Sequence, residues 1–151
     1  MKIRLWMILL VGLLTACQRA AAAPITTTTD VEFTLSEGQL AEVSDANISI
    51  TFVSVFGDSR CPSGMECAMS GPVTLSLSFR DQSGAEMEQT LQTFTDVKGL
   101  APEMEFEGIQ DRVTVDGYQI KILSVLPYPQ SRSFSIGEPD YQISLKVTKA
   151  Q

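Results

Sequence analysis

The sequence predicts an all-β chain, an antiparallel β-sandwich or small barrel of about seven or eight strands. Three observations predict it. Apolar residues alternate with polar ones in short runs, the pattern of a strand with one buried face. Turn-forming residues separate these runs at short intervals. Beyond residue 30, no stretch places apolar residues at a convincing helical spacing.

The elements follow in order. Val31 to Leu35 (VEFTL) alternates, and Ser36-Glu37-Gly38-Gln39 turns the chain. Ile48 to Phe56 (ISITFVSVF) is rich in β-branched and aromatic residues, with Ile48, Ile50 and Phe52 on one face. Val73 to Phe79 (VTLSLSF) is the clearest strand. Val73, Leu75, Leu77 and Phe79 point one way; Thr74, Ser76 and Ser78 point the other. Asp81-Gln82-Ser83-Gly84 is a turn, and Glu86 to Phe94 returns as a partner. Gly99, Pro102 and Gly108 break up the region from Thr95 to Gly108. Arg112 to Val115 and Tyr118 to Leu126 form a hairpin around Asp116-Gly117, a pair that tolerates positive φ at both turn positions. Pro127-Tyr128-Pro129 ends that strand, and a polar loop follows from Gln130 to Asp140. Tyr141 to Thr148 is the last strand, with Ile143, Leu145 and Val147 facing the core.

The N-terminus carries an address. Lys2 and Arg4 precede an apolar stretch from Leu5 to Leu14, too short to span a bilayer but of signal-peptide length. It ends in Leu14-Thr15-Ala16-Cys17, which resembles a bacterial lipobox. The resemblance implies cleavage before Cys17 and acylation of its thiol, so that the partner of the mature N-terminus is the membrane. Gln18 follows the cysteine instead of Asp, which in a bacterium with two membranes resembles an outer-membrane sorting signal. An ordinary leader cut near Ala20 to Ala23 is the alternative. The expected organisation is a signal peptide over 1–16, a lipidated N-terminus and flexible tether over 17–30, and one β domain over 31–151.

Composition narrows the chemistry. The chain carries a net charge of −7, from 11 basic and 18 acidic residues. Lys2 and Arg4 leave with the leader, so the mature chain has 9 basic side chains against 18 acidic ones, a net −9. Phosphate backbones repel such a chain, and nucleic acid is not an expected partner. There is no histidine. That removes serine-histidine and cysteine-histidine nucleophile systems and histidine-rich zinc sites. The chain is expected to be no enzyme and to hold no cofactor.

The chemistry-bearing residues concentrate in Gly57 to Gly71 (GDSRCPSGMECAMSG). With Cys17 acylated, Cys61 and Cys67 remain as a pair in an oxidising compartment, where a disulfide persists. Their spacing is not the Cys-x-x-Cys of redox enzymes. Asp58 and Arg60 are expected to support the loop, Asp58 through an Asx turn and Arg60 by donating to carbonyls or a carboxylate. Asp58 with Glu66 would be the pair for carboxylate hydrolysis, in a domain with little room for a cleft. Met65 and Met69 beside the cysteines also make a soft ligand set for copper(I), which requires reduced thiols. The tip, Pro62, Ser63, Gly64, Met65 and Glu66, is a candidate binding loop. An exposed, disulfide-held loop also suggests an extracytoplasmic protease inhibitor, with Met65 as the specificity residue. Glu103, Glu105 and Glu107 could offer oxygens to Ca²⁺, although no EF-hand pattern occurs; a solvated acidic edge is the simpler reading.

The D-S-R-C-P segment, the second cysteine six positions on and Gly71 four further resemble a pattern in uncharacterised secreted or lipid-anchored bacterial proteins. Those proteins also show a G-Q turn after the first strand, here Gly38-Gln39, and a P-Y-P-like strand end, here Pro127 to Pro129. The pattern often has Trp two residues after the second cysteine, where this chain has Met69. The resemblance implies a small β domain and assigns it no activity. The expected function is therefore a lipid-anchored interaction or structural module at the cell envelope, whose protein partner the sequence does not identify.

Overall fold

A computed structural model describes residues 22–130 and 140–150. The leader expected over 1–16, Cys17, the first residues of the expected tether and most of the polar loop after Gln130 lie outside the described residues.

Nine strands occur among the described residues, and no helix. They are β1 (Ile25–Thr27), β2 (Glu32–Ser36), β3 (Leu40–Val43), β4 (Ile48–Asp58), β5 (Val73–Arg80), β6 (Glu86–Thr93), β7 (Arg112–Val115), β8 (Tyr118–Leu126) and β9 (Gln142–Lys149). One sheet has the order β1-β3-β4-β5-β6 and the other β2-β9-β8-β7. The all-β expectation holds. The two sheets are separate and form a sandwich, so the barrel alternative does not.

The core is the alternation made physical. Ile48, Ile50 and Phe52 from β4 and Val73, Leu75, Leu77 and Phe79 from β5 are all fully buried. They meet Ile120, Ile122 and Val125 of β8 and Ile143, Leu145 and Val147 of β9 across the interior. Each such side chain contributes roughly 1.5–3 kcal/mol by leaving water. Ser76 points away from this core yet is buried as well, and its hydroxyl is satisfied by donating to Glu88 of the neighbouring strand. The β7–β8 hairpin turns at Asp116 (φ 50°) and Gly117 (φ 78°), the two positive φ angles that Asp-Gly allows. At the G-Q turn, Gly38 (φ 75°) donates its N–H to Phe52 O at 2.7 Å, and Gln39 Oε1 accepts the N–H of Ser36.

The domain begins earlier than expected. A tether through Asp30 is corrected by β1, which pairs in parallel with β3 (Ile25 with Ala41, Thr27 with Val43). The threonines that read as linker are bonded into the fold. Thr29 donates its N–H and hydroxyl to Asp45, at 2.9 and 2.6 Å, and Asp30 N–H reaches Val147 O. Strand β3 was not expected either. Its two buried side chains are the small Ala41 and Val43, too little apolar pattern for a four-residue run to stand out.

The topology gives the sandwich two unlike ends. The turns at 44–47 and 81–84 and the Asp116-Gly117 hairpin close one. The other holds the C-terminal ends of β4, β6 and β8 and the Gly57–Gly71 segment.

Candidate functional site

Strand β4 carries the site. Two bulges, between Phe52 and Ser54 and between Val55 and Gly57, twist its upper half while Asp58 still pairs with Val73. Asp58 then closes the expected Asx turn, Oδ1 accepting the N–H of Arg60 at 3.1 Å.

Arg60 is folded inward and is 3% exposed. Its Nε donates to Asp58 Oδ1 at 2.8 Å and its Nη2 to Asp58 Oδ2 at 2.5 Å. Nη2 also donates to Pro127 O at 2.9 Å. Nη1 donates to Val125 O at 2.8 Å and to Thr95 Oγ1 at 3.2 Å. All five guanidinium N–H bonds thus have acceptors. The ring of Tyr128 lies 5.0 Å from the guanidinium carbon. Tyr141 donates its hydroxyl to Asp58 Oδ2 at 3.1 Å.

These contacts set the charges. Burial works to raise the Asp58 carboxyl, but the hydrogen bonds and charge of Arg60 outweigh it and hold the group below the usual carboxylate range. Burial, followed by the Asp58 charge, pushes the Tyr141 phenol up to about 12. At neutral pH the site is a charged pair capped by a neutral phenol.

The loop stands on this post. Cys61 and Cys67 form a disulfide with their Cα atoms 5.9 Å apart. Tyr128 donates its hydroxyl to Cys61 O at 2.8 Å, and Cys61 N–H reaches Ser70 Oγ at 3.0 Å. Ser63 donates its N–H to Pro129 O and its hydroxyl to Gln130 Oε1, at 2.9 and 2.5 Å. The tip curls into a turn, Met65 N–H bonding Pro62 O at 3.1 Å with Gly64 at φ 78°. Met65 and Glu66 are exposed, as is Met69 at 87%. Gly71 has a steric reason to be glycine: a Cβ there would sit 2.6 Å from Ser59 Cβ and 3.0 Å from Ser59 O.

The structure brings together most of what the sequence singled out. Asp58, Arg60, Cys61, Cys67 and Gly71 share one cluster with Pro127, Tyr128 and Pro129, so two segments of the motif resemblance meet in space. The residues that sequence reasoning missed are Tyr141, Thr95 and the carbonyl of Val125. Neither tyrosine could be assigned to Asp58 or Arg60 from position alone, since both lie far along the chain.

Other candidates fall apart spatially. Asp58 faces Arg60 and Tyr141, whereas Glu66 is exposed on the tip, so they do not frame a shared cleft. The two cysteine sulfurs are bonded to each other, which is not the reduced state copper(I) requires. Among the described residues no group of three or more cysteines and carboxylates is arranged to hold a metal ion. Glu103, Glu105 and Glu107 are exposed, and Glu105 pairs with Arg112 at 2.8 Å. That pair borders an open hollow of about 370 Å³ with Phe106, Ile109 and Asp111. Asp111 in turn accepts Arg112 Nε at 2.8 Å, so the cation there is already shared by two carboxylates.

No protein family, curated protein or solved structure matches this chain.

Proposed function

We propose that this chain is a lipid-anchored domain of the cell envelope, held through Cys17, that acts as a non-enzymatic interaction or structural module and presents the 61–67 loop at one end. The observation that carries the reading is the guanidinium of Arg60. All five of its donors, the Asp58 carboxylate and the Tyr128 ring are spent on fixing the base of the loop. Such an arrangement holds a surface still. Pre-ordering lowers the entropic cost of binding, because the loop need not be frozen at the moment of contact.

The anchor is tested by fractionating cells that express the full chain or Cys17→Ser. The full chain should partition with membranes and carry acyl chains on its N-terminal peptide. Release of the variant as soluble protein supports the reading. An unmodified Cys17 in the parent discards it.

The exposure of Met65 on a disulfide-closed loop favours a second reading, an extracytoplasmic protease inhibitor. The turn at Pro62 to Met65 weighs against it, since a substrate-like segment binds extended, by adding a strand to its partner. A panel of serine and cysteine proteases decides: no inhibition at micromolar domain removes this reading.

A further inference from the structure

The two ends of the sandwich differ in what they show to solvent. Exposed at the Arg60 end are Phe56, Met65, Met69, Val97, Leu100 and Leu126. The opposite end is closed by turns bearing Asp45, Asp81 and Asp116, tied together by Gln82, whose N–H bonds Asp116 and whose amide bonds Ala46 O. Val31 and Met87 lie towards that end, one beside each sheet.

The N-terminus leaves towards the apolar end. β1 runs parallel to β3 and β3 antiparallel to β4, so the chain preceding Ile25 heads in the direction in which β4 reaches Asp58. Ala23 confirms the heading, its carbonyl accepting Gln39 Nε2 at 2.8 Å. Four residues lie between Cys17 and Ala22, which makes five Cα steps. Fully extended they reach at most ~18 Å. The end of β4 lies roughly 10 Å above Ala22 at ~3.3 Å per strand residue. The aspartate-bearing turns lie on the order of 20 Å away in the reverse direction.

From the tether and the apolar end together we infer that the Arg60 end docks on the bilayer, with Phe56, Met65 and Met69 resting in the lipid interface. The inference deepens the anchored-module reading and rests on acylation of Cys17, since it names the partner of the loop end as the lipid surface itself. Three exposed apolar side chains are a weak membrane ligand alone. A short tether keeps them at high effective concentration beside the bilayer, where weak contacts suffice. The same end carries Glu66 and Asp96 against Lys98. Among the described residues there is no basic cluster at that end, so the contact draws on apolar burial and does not require anionic headgroups.

The methionines are native probes. The intact acylated chain in phosphatidylcholine vesicles and a soluble Cys17→Ser chain without residues 1–16 are treated with an anionic, membrane-impermeant oxidant. Sulfoxide formation is then mapped by peptide mass spectrometry, each rate taken relative to Met87 of the same sample. Docking predicts that Met65 and Met69 oxidise about fivefold or more slowly on vesicles than in the soluble chain. Phe56→Ser in the acylated chain should return part of that reactivity. Unchanged ratios in a chain that floats with the vesicles overturn docking and leave the anchor standing. Protection of Met87 over Met69 overturns it too, because the other end then faces the lipid. An unmodified Cys17 in a chain that does not float overturns both the anchor and the docking.

Discussion

Arg60 and Tyr128 hold opposite sides of one joint: the ring lies 5.0 Å from the guanidinium carbon, while its hydroxyl bonds the carbonyl of Cys61, the next residue after the arginine. The aromatic thus fixes both the cation and the chain that bears it. Loop and strand end are a single unit, and their energetics are coupled.

The first prediction concerns that unit. Arg60→Ala takes the guanidinium away from the carbonyls of Val125 and Pro127 and from the Asp58 carboxylate, which keeps only the residue-60 N–H and the Tyr141 hydroxyl. Breaking a buried pair in this way costs about 3–5 kcal/mol. Arg60→Lys keeps the charge but cannot reproduce the fork, so it should recover only part of the loss. Chemical denaturation of the three proteins checks the order. Equal stability of Arg60→Ala and the parent would falsify the post.

Reduction of Cys61–Cys67 should leave the sandwich folded. The ring is small, and closing it removes about 2–2.5 kcal/mol of unfolded-state entropy in the chain-entropy model. No residue between Cys61 and Gly71 belongs to the core. A Cys61→Ser, Cys67→Ser double variant should therefore lose about that amount in urea while keeping its far-ultraviolet spectrum. Loss of the β signal on reduction would mean that the ring holds more than the loop.

Two glycines separate steric need from habit. Gly71→Ala forces a Cβ to within 2.6 Å of Ser59 Cβ and should cost about 1–3 kcal/mol, the range for overpacking. At Gly57 a Cβ meets nothing within 4 Å and φ is not positive. Gly57→Ala should be within about 0.5 kcal/mol of the parent. Thermal melts of both variants test the contrast.

The pH dependence has two limbs. Asp58 has a folded pKa below its unfolded value near 3.8. Its contribution is present above about pH 4 and is lost as pH falls through the folded pKa. Asp58→Asn should flatten the acid limb of stability against pH. Tyr141 is raised to about 12, so its contribution is intact below the ordinary phenol value and lost as pH rises from about 10 to 12. Ultraviolet difference titration should find one phenol ionising near 12 that vanishes in Tyr141→Phe.

The legible parts of this protein were those encoded locally. Val73 to Phe79 announces its buried face by alternation alone, and all four of its apolar side chains are fully buried. Asp116-Gly117 names its own turn, and Asp58 lies two residues from the N–H that it accepts. What could not be read depends on distant chain. The arginine was expected to grip its own loop, but beyond Asp58 its acceptors are Thr95, Val125 and Pro127, supplied by the ends of β6 and β8. β1 was hidden for another reason. Ile25–Thr27 lacks a fully buried side chain, and only its pairing with β3 makes it a strand.

That pairing has a mechanical meaning. A force applied at the N-terminus acts along the axis of β1 and away from Val43. The β1–β3 hydrogen bonds are then loaded in shear, together and not one after another. Behind them stands the Thr29–Asp45 clasp, which must yield before tension reaches the Asp30–Val147 bond and, through it, the second sheet. The short strand at the edge of the sandwich works as a strain relief, keeping a pull on the chain before Ile25 from becoming a pull on the core.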